Sequence, residues 1–191
     1  MALNIRLLID LCWLATALVW VATAWQLKPA KATLPPGQRT LQIALLFVGA
    51  VLLFSTLDLG GLLQTQVIPQ QTASAVTGIA LAATGNAIAI AARLYLGGSW
   101  SNSAVIRQEH QLIRSGPYAW VRHPIYSGMT LAVCGSALGF GELRHLIAVP
   151  VLLTAFRLKQ LSEENLLLQS FGQKYLTYRC AVRWAIIPFV L

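Results

Sequence analysis

The stretch ASAVTGIALAATGNAIAIAARLYL, residues 73–96, contains a single charged side chain, Arg93, in its final turn. About 20 consecutive apolar residues carry a helix across the hydrocarbon core of a bilayer, and this run has that length. Similar runs lie on both sides of it, at 7–27, 41–63, 124–140 and 143–161. The last of these takes up Arg157 and Lys159 in its final turns, which predicts a span whose helix continues past the membrane. The expected fold is all-α: a polytopic membrane protein with about five transmembrane helices. It reads as one integral membrane domain over 1–191, with three spans in 1–96 and the chemistry in 97–191.

Composition points the same way. Hydrophobic residues make up 57% of the chain and charged residues 10%, and the mean hydropathy is +0.65. Soluble domains carry charge at about a quarter of positions, so there is too little here to cover a water-facing surface. The net charge of +8 raises the question of nucleic acid. The basic residues, however, are spread over short segments between apolar runs, with no soluble module to gather them, so no nucleic-acid partner is expected. Cys12, Cys134 and Cys180 form neither a CxxC pair nor a Cys/His ligand set, and neither a disulfide framework nor a metal site is expected. The first run has only Arg6 before it and no A-x-A-like cleavage site ahead of Lys28, so it reads as a retained span rather than a signal peptide.

Lys and Arg concentrate in cytoplasmic loops. With the N-terminus outside, Lys28, Lys31, Arg39, Arg93, Arg107, Arg114, Arg122, Arg157, Lys159, Lys174, Arg179 and Arg183 all fall on the cytoplasmic side. Of the 14 basic residues only Arg6 and Arg144 fall outside. This orientation brings the loop before the fourth span and the C-terminal segment to the same cytoplasmic face. Within the fourth span, Gly128, Ala132, Gly135 and Gly139 recur at helical spacing, a stripe that lets helix backbones approach closely in lipid. Asp10 and Asp58 fall near the outer ends of spans and are given no role.

Two cytoplasmic stretches hold the groups capable of chemistry. The first runs from Glu109-His110-Gln111-Leu112-Ile113 through Gly116-Pro117-Tyr118 to Arg122-His123-Pro124-Ile125-Tyr126. Gly116-Pro117 breaks any helix, and Pro124 suits the first turn of the next one. That sets His123 at a helix N-terminus, where free N–H groups and the dipole favour anionic or polar ligand groups. The second stretch holds Arg157, Lys159, Glu163 and Glu164, then Phe171-Gly172 and Tyr175. Lys159 and Glu163 share a helix face at i, i+4, a spacing equally suited to a surface salt bridge and to two adjoining subsites.

Four blocks stand in order: Leu112-x-x-x-Gly116-Pro117-Tyr118, Arg122-His123-Pro124-x-Tyr126-x-Gly128, Glu163-Glu164, and Phe171-Gly172-x-x-Tyr175-x-x-Tyr178. Together they resemble the signature of the isoprenylcysteine carboxyl methyltransferase family and its phospholipid methyltransferase relatives, over residues 107–188. The resemblance implies an S-adenosylmethionine pocket roofed by the loop before the fourth span and the C-terminal segment. By position, His110, Gln111, Leu112, Ile113 and Tyr118 would line the cofactor. His123, Pro124, Ile125 and Tyr126 would hold its methionine or ribose part, and Glu163 would accept its hydrogen bonds. The implied acceptor is lipophilic, a prenylated cysteine or a lipid within the membrane, and the implied reaction is O-methylation of an isoprenylcysteine-type carboxylate.

One position departs from the family pattern. Lys159 stands where the family has an arginine that pairs with the acceptor's carboxylate, which leaves Lys159, Arg157 and Arg122 as candidates for that role. Lysine keeps the charge and loses the planar fork. Phospholipid N-methylation, thiol S-methylation, a nicotinamide-dependent sterol-type reductase and a non-catalytic scaffold remain alternatives.

Overall fold

The structure is a computed structural model and describes residues 4–24, 36–57, 60–97 and 112–187. These form α1 (Ile5–Ala22), α2 (Pro36–Phe54), α3 (Thr72–Leu96), α4 (Pro124–Phe140), α5 (Leu143–Phe171) and α6 (Gln173–Ala181). Short 3-10 turns lie at Gly61–Gln64 and Gly116–Ala119. Among the described residues there is no strand, only an isolated bridge between Gln66 and Glu142.

The centre of the molecule is the antiparallel pair α3/α4. The stripe read in the fourth span meets a matching one on α3. A Cβ added at Gly128 would lie 2.5 Å from the Ala89 nitrogen and the Gly85 oxygen, and one at Gly78 would lie 2.5 Å from the Gly139 nitrogen. Backbone therefore packs on backbone along the full length of α4. Lipid gives helices little hydrophobic reason to associate, and this close approach supplies the van der Waals contact instead. The α3 half of the stripe (Gly78, Ala82, Gly85, Ala89) was legible at the same spacing but was not identified from the sequence.

Polar contacts fasten the other helices to this pair. Trp13 Nε1 donates to Ser136 Oγ at 2.9 Å, Thr16 bonds Asn86, and fully buried Arg93 donates to the Thr23 carbonyl at 3.1 Å, which holds α1 against α3 and α4. On the other side, Gly49 of α2 makes room for Leu152 of α5, and Gln42 donates to Ser162 at 3.0 Å.

α1, residues Gly37–Phe54 of α2, and α3 are each long and apolar enough to cross a membrane, while α4 is a shorter apolar helix. α4 spans 124–140 as the sequence reading has it, set by Pro124 at its start and Gly141 (φ 73°) at its end. α2 stops at Phe54, well short of the expected residue 63. The cause lies at its carbonyl end: Arg6 donates to Phe54 O at 2.6 Å and Arg144 to Ser55 O at 2.9 Å, and Gly60 and Gly61 then take positive φ. α5 runs to Phe171, ten residues beyond the expected apolar limit, and ends where Gly172 adopts φ 50°. Lys28, Lys31, Asp58, Arg107, Glu109, His110 and Gln111 lie outside the described residues.

Candidate active site

The two chemistry-bearing stretches meet at one end of the bundle. Pro124 occupies the first turn of α4, so His123 becomes the N-cap residue. One helix turn further on, Tyr126 faces the same side and its ring stacks with His123 at 5.7 Å and with Phe156 at 5.9 Å. The C-terminal half of α5 places Glu163 and Glu164 opposite them.

His123 lies between the two carboxylates. Its Nδ1 is 3.5 Å from Glu163 Oε2, and its Nε2 is 3.3 Å from Glu164 Oε1. Tyr126 donates to Glu163 Oε1 at 2.7 Å. Arg122 holds Glu164 through Nε at 2.9 Å and Nη2 at 2.8 Å. Burial opposes charge on all three titrating groups, yet the neighbours prevail. Glu164 is held down at about 2 by hydrogen bonds and charge from His123 and Arg122. Glu163 is lowered by His123, the Lys159 charge and Tyr126, and His123 is raised by both carboxylates.

Arg122 has a further task. Its Nη1 donates to Val182 O at 2.8 Å and to Arg183 O at 2.6 Å. The backbone N–H groups of Arg122 and His123 donate to the Trp184 and Ala185 carbonyls at 2.9 and 2.8 Å, and Ser127 bonds Ile186 O. Residues 182–186 are thus strapped across the loop before α4. Four of the five guanidinium N–H groups are taken, so Arg122 serves as a clamp and is not free to meet an acceptor.

The remaining sequence candidates divide. Pro124 is buried and Ile125 half-buried at the start of α4. Leu112 packs against Tyr175, Tyr178 and Val182, and Ile113 is half-buried beside it. Tyr118 is buried and donates to Ala92 O at 3.3 Å, while its carbonyl accepts from Tyr178 at 2.7 Å. It is a wedge between α3, the loop and α6, and its hydroxyl is already committed. Arg157, half-buried, donates to buried Gln160. Lys159 keeps its ammonium 6.0 Å above the Tyr126 ring, and among the described residues no ion pair joins it to Glu163. Glu164 is a site element that the sequence reading does not single out, although the Glu-Glu pair is a visible signal for it. The resemblance implies a roof from the C-terminal segment, but nothing in residues 182–187 signals that its main-chain carbonyls make the contact.

The donor set suits a cationic ligand. Glu163 keeps 22% of its side chain exposed beside aromatic Tyr126, and carboxylates and aromatic faces both attract cations. Among the described residues the Tyr175 hydroxyl is buried without a hydrogen-bond partner, while His123 Nε2 has its 3.3 Å contact with Glu164. Buried polar groups in native proteins find partners, so the Tyr175 hydroxyl is suited to a polar ligand. Among the described residues no His/Cys/Asp/Glu cluster could hold a metal ion.

The comparisons with known proteins agree with this architecture. The human protein-S-isoprenylcysteine O-methyltransferase is 32% identical over 129 residues, covering 64% of this chain and 44% of that protein. This chain therefore spans less than half the length of that relative. The structure of the eukaryotic intramembrane Ras methyltransferase, isoprenylcysteine carboxyl methyltransferase, superimposes with a TM-score of 0.50 at 23% identity, over 84% of this chain and 55% of that one. That likeness is one of fold. The phospholipid methyltransferase family profile matches residues 73–174, more than half of the 191, from α3 through the carboxylate pair to the start of α6. The chain belongs to the phospholipid methyltransferase family.

Proposed function

We propose that this protein is a membrane-embedded S-adenosylmethionine-dependent methyltransferase whose acceptor is lipophilic and anionic, an isoprenylcysteine-type carboxylate. The observation that carries this reading is the pairing of opposite charges one helix turn apart on α5. Glu163 is held ionised and partly open, and Lys159 stands beside it without being consumed by it. One suits a cationic cofactor, the other an anionic acceptor. The family match over 73–174 supports transfer of a methyl group over the reductase alternative.

When bound, the cofactor supplies an electrophilic methyl on a sulfonium. Glu163 and Tyr126 hold its cationic part, His123 and Tyr175 offer buried polar atoms, and Leu112, Ile113, Pro124 and Ile125 form the apolar wall. His110 and Gln111 are assigned to the same wall by their position in the motif. Lys159 orients the acceptor's carboxylate, and Arg157, one turn before Gln160, lies at the edge of that subsite. In-line displacement needs alignment and exclusion of water more than it needs an acid or base, and the strap over the loop provides a cover. Calorimetry with S-adenosylmethionine on the purified protein is expected to show binding that weakens at least ~10-fold in Glu163→Ala, which removes a charge-assisted contact. Wild-type affinity in that variant would remove the assignment.

We further propose five spans, with α4 and the first part of α5 completing the three longer helices, an outer N-terminus and a cytoplasmic site. The distribution of basic residues supports this. Gln70 and Ser115 are both exposed, at opposite ends of the bundle. In a cysteine-free background, a cysteine probe at Gln70 is expected to label from outside intact cells and one at Ser115 only after permeabilisation. The reverse pattern refutes the orientation, and labelling of both from one side refutes the span count.

A further inference from the structure

Among the described residues His123 is the one that touches both carboxylates, and one of those carboxylates is the group assigned to a cationic ligand. We propose that His123 is a proton-releasing latch: a cationic cofactor that engages Glu163 displaces the proton that His123 shares between Glu163 and Glu164. The inference rests on the cofactor reading above and concerns how that binding is regulated.

The geometry sets up a competition for one anion. Nδ1 of His123 is 3.5 Å from Glu163 and Nε2 is 3.3 Å from Glu164, so an imidazolium is supported from both edges. The position is otherwise hostile to a cation. His123 is 7% exposed and sits at the N-terminus of α4, the positive end of the helix dipole. Burial works against its proton, and the two carboxylates outweigh that and raise its proton affinity. They are not equivalent. Glu164 is buried and fixed by two guanidinium contacts from Arg122, and Tyr175 lies within its electrostatic reach. Glu163 is half-buried and the more open of the two, held by Tyr126 from α4 and flanked by Lys159 from its own helix. From the C-terminal strap, which carries the cation Arg183, the Trp184 and Ala185 carbonyls accept from the loop's N–H groups.

When an ammonium or sulfonium takes Glu163, His123 loses its partner at Nδ1 and gains a cation next to it. Both changes favour neutral imidazole, and the proton leaves to bulk water past the exposed edge of Glu163. By linkage, cofactor affinity then rises with pH through the titration of His123, up to about tenfold per pH unit for one proton released. Once neutral, the ring keeps its Nε2 edge against Glu164, which Arg122 holds in place.

The test is calorimetry of S-adenosylmethionine binding to the wild-type protein at one near-neutral pH, in phosphate and in imidazole buffer. These differ widely in ionisation enthalpy. The observed heats are expected to differ by the proton fraction released times that enthalpy difference, and the affinity to rise from pH 6 to pH 8. Glu164→Gln removes one of the two supports and is expected to move the affinity rise to lower pH. A purely structural role for Glu164 would weaken binding equally at every pH. His123→Asn, if it folds, is expected to bind with no buffer dependence. Buffer-independent heats with binding intact in the wild type overturn the latch and leave the cofactor reading standing. No binding in either buffer overturns both.

Discussion

Gly85→Leu is expected to leave little folded protein. A Cβ at Gly85 meets the Gly128 carbonyl oxygen at 2.5 Å and the Ala132 Cα at 2.9 Å. These are backbone atoms in the middle of a helix, and they cannot swing aside as a side chain can. Overpacking a core costs about 1–3 kcal/mol when neighbours can give, so a branched side chain wedged between two rigid helices is expected to cost on the order of 3 kcal/mol or more. α3 and α4 would be forced apart, carrying His123 away from Glu163. Detergent-extracted yield and thermal midpoint check this. Gly37→Ala is the control, because nothing lies within 4 Å of a Cβ there. It falls in the first turn of α2, where alanine is expected to gain about 0.5–1 kcal/mol of helix stability. Near-native yield and melting in Gly85→Leu would mean that the helix contact is not what holds the site together.

Lys159→Ala is expected to lower methyl transfer by ~10²–10³-fold, the usual loss when one group that positions or stabilises reacting charge is removed. Cofactor affinity should stay within about twofold, since no ion pair ties Lys159 to Glu163 and removing a nearby cation does not weaken a site for cations. Lys159→Arg keeps the charge and adds a fork suited to carboxylate, so it is expected to retain transfer. The contrary account makes Lys159 a strut for Glu163, and then transfer and cofactor affinity would fall together. Single-turnover transfer of radiolabelled methyl to a prenylated cysteine peptide, run alongside calorimetry, separates the two. Unchanged transfer in Lys159→Ala would dismiss both and move attention to Arg157.

Where the chain carried punctuation, the fold could be read from its letters. Pro124 and Gly141 bracket α4, and the helix between them matches the expected 124–140 residue for residue. The end of α2 did not, because Leu57, Gly60 and the leucines after them continue an apolar run by composition alone. What ends the helix is tertiary: arginines from α1 and α5 that cap its carbonyls. α5 outlasts its apolar part because residues such as Glu163, Glu164 and the leucines that follow suit a helix in water as well as in lipid. The site divided in the same way. His123, Tyr126 and Glu163 were legible as a motif, and the structure brings them within contact of one another. The use of Arg122 was not legible. An arginine next to a candidate site suggests a substrate anion, and only the fold shows that its donors face Glu164 and the strap carbonyls.

The strap also fixes the moment at which this site can exist. Its residues, 182–186, follow every other described part of the site in the chain, and they close over the loop by main-chain bonds to Arg122 and His123. Translation delivers them after α1 to α6, so the helices can already be formed while Arg122 still lacks its carbonyl partners. A nascent chain stalled anywhere before residue 182 therefore carries an open, unlatched loop. The closed form of the loop before α4 therefore depends on a segment made after the helices it joins.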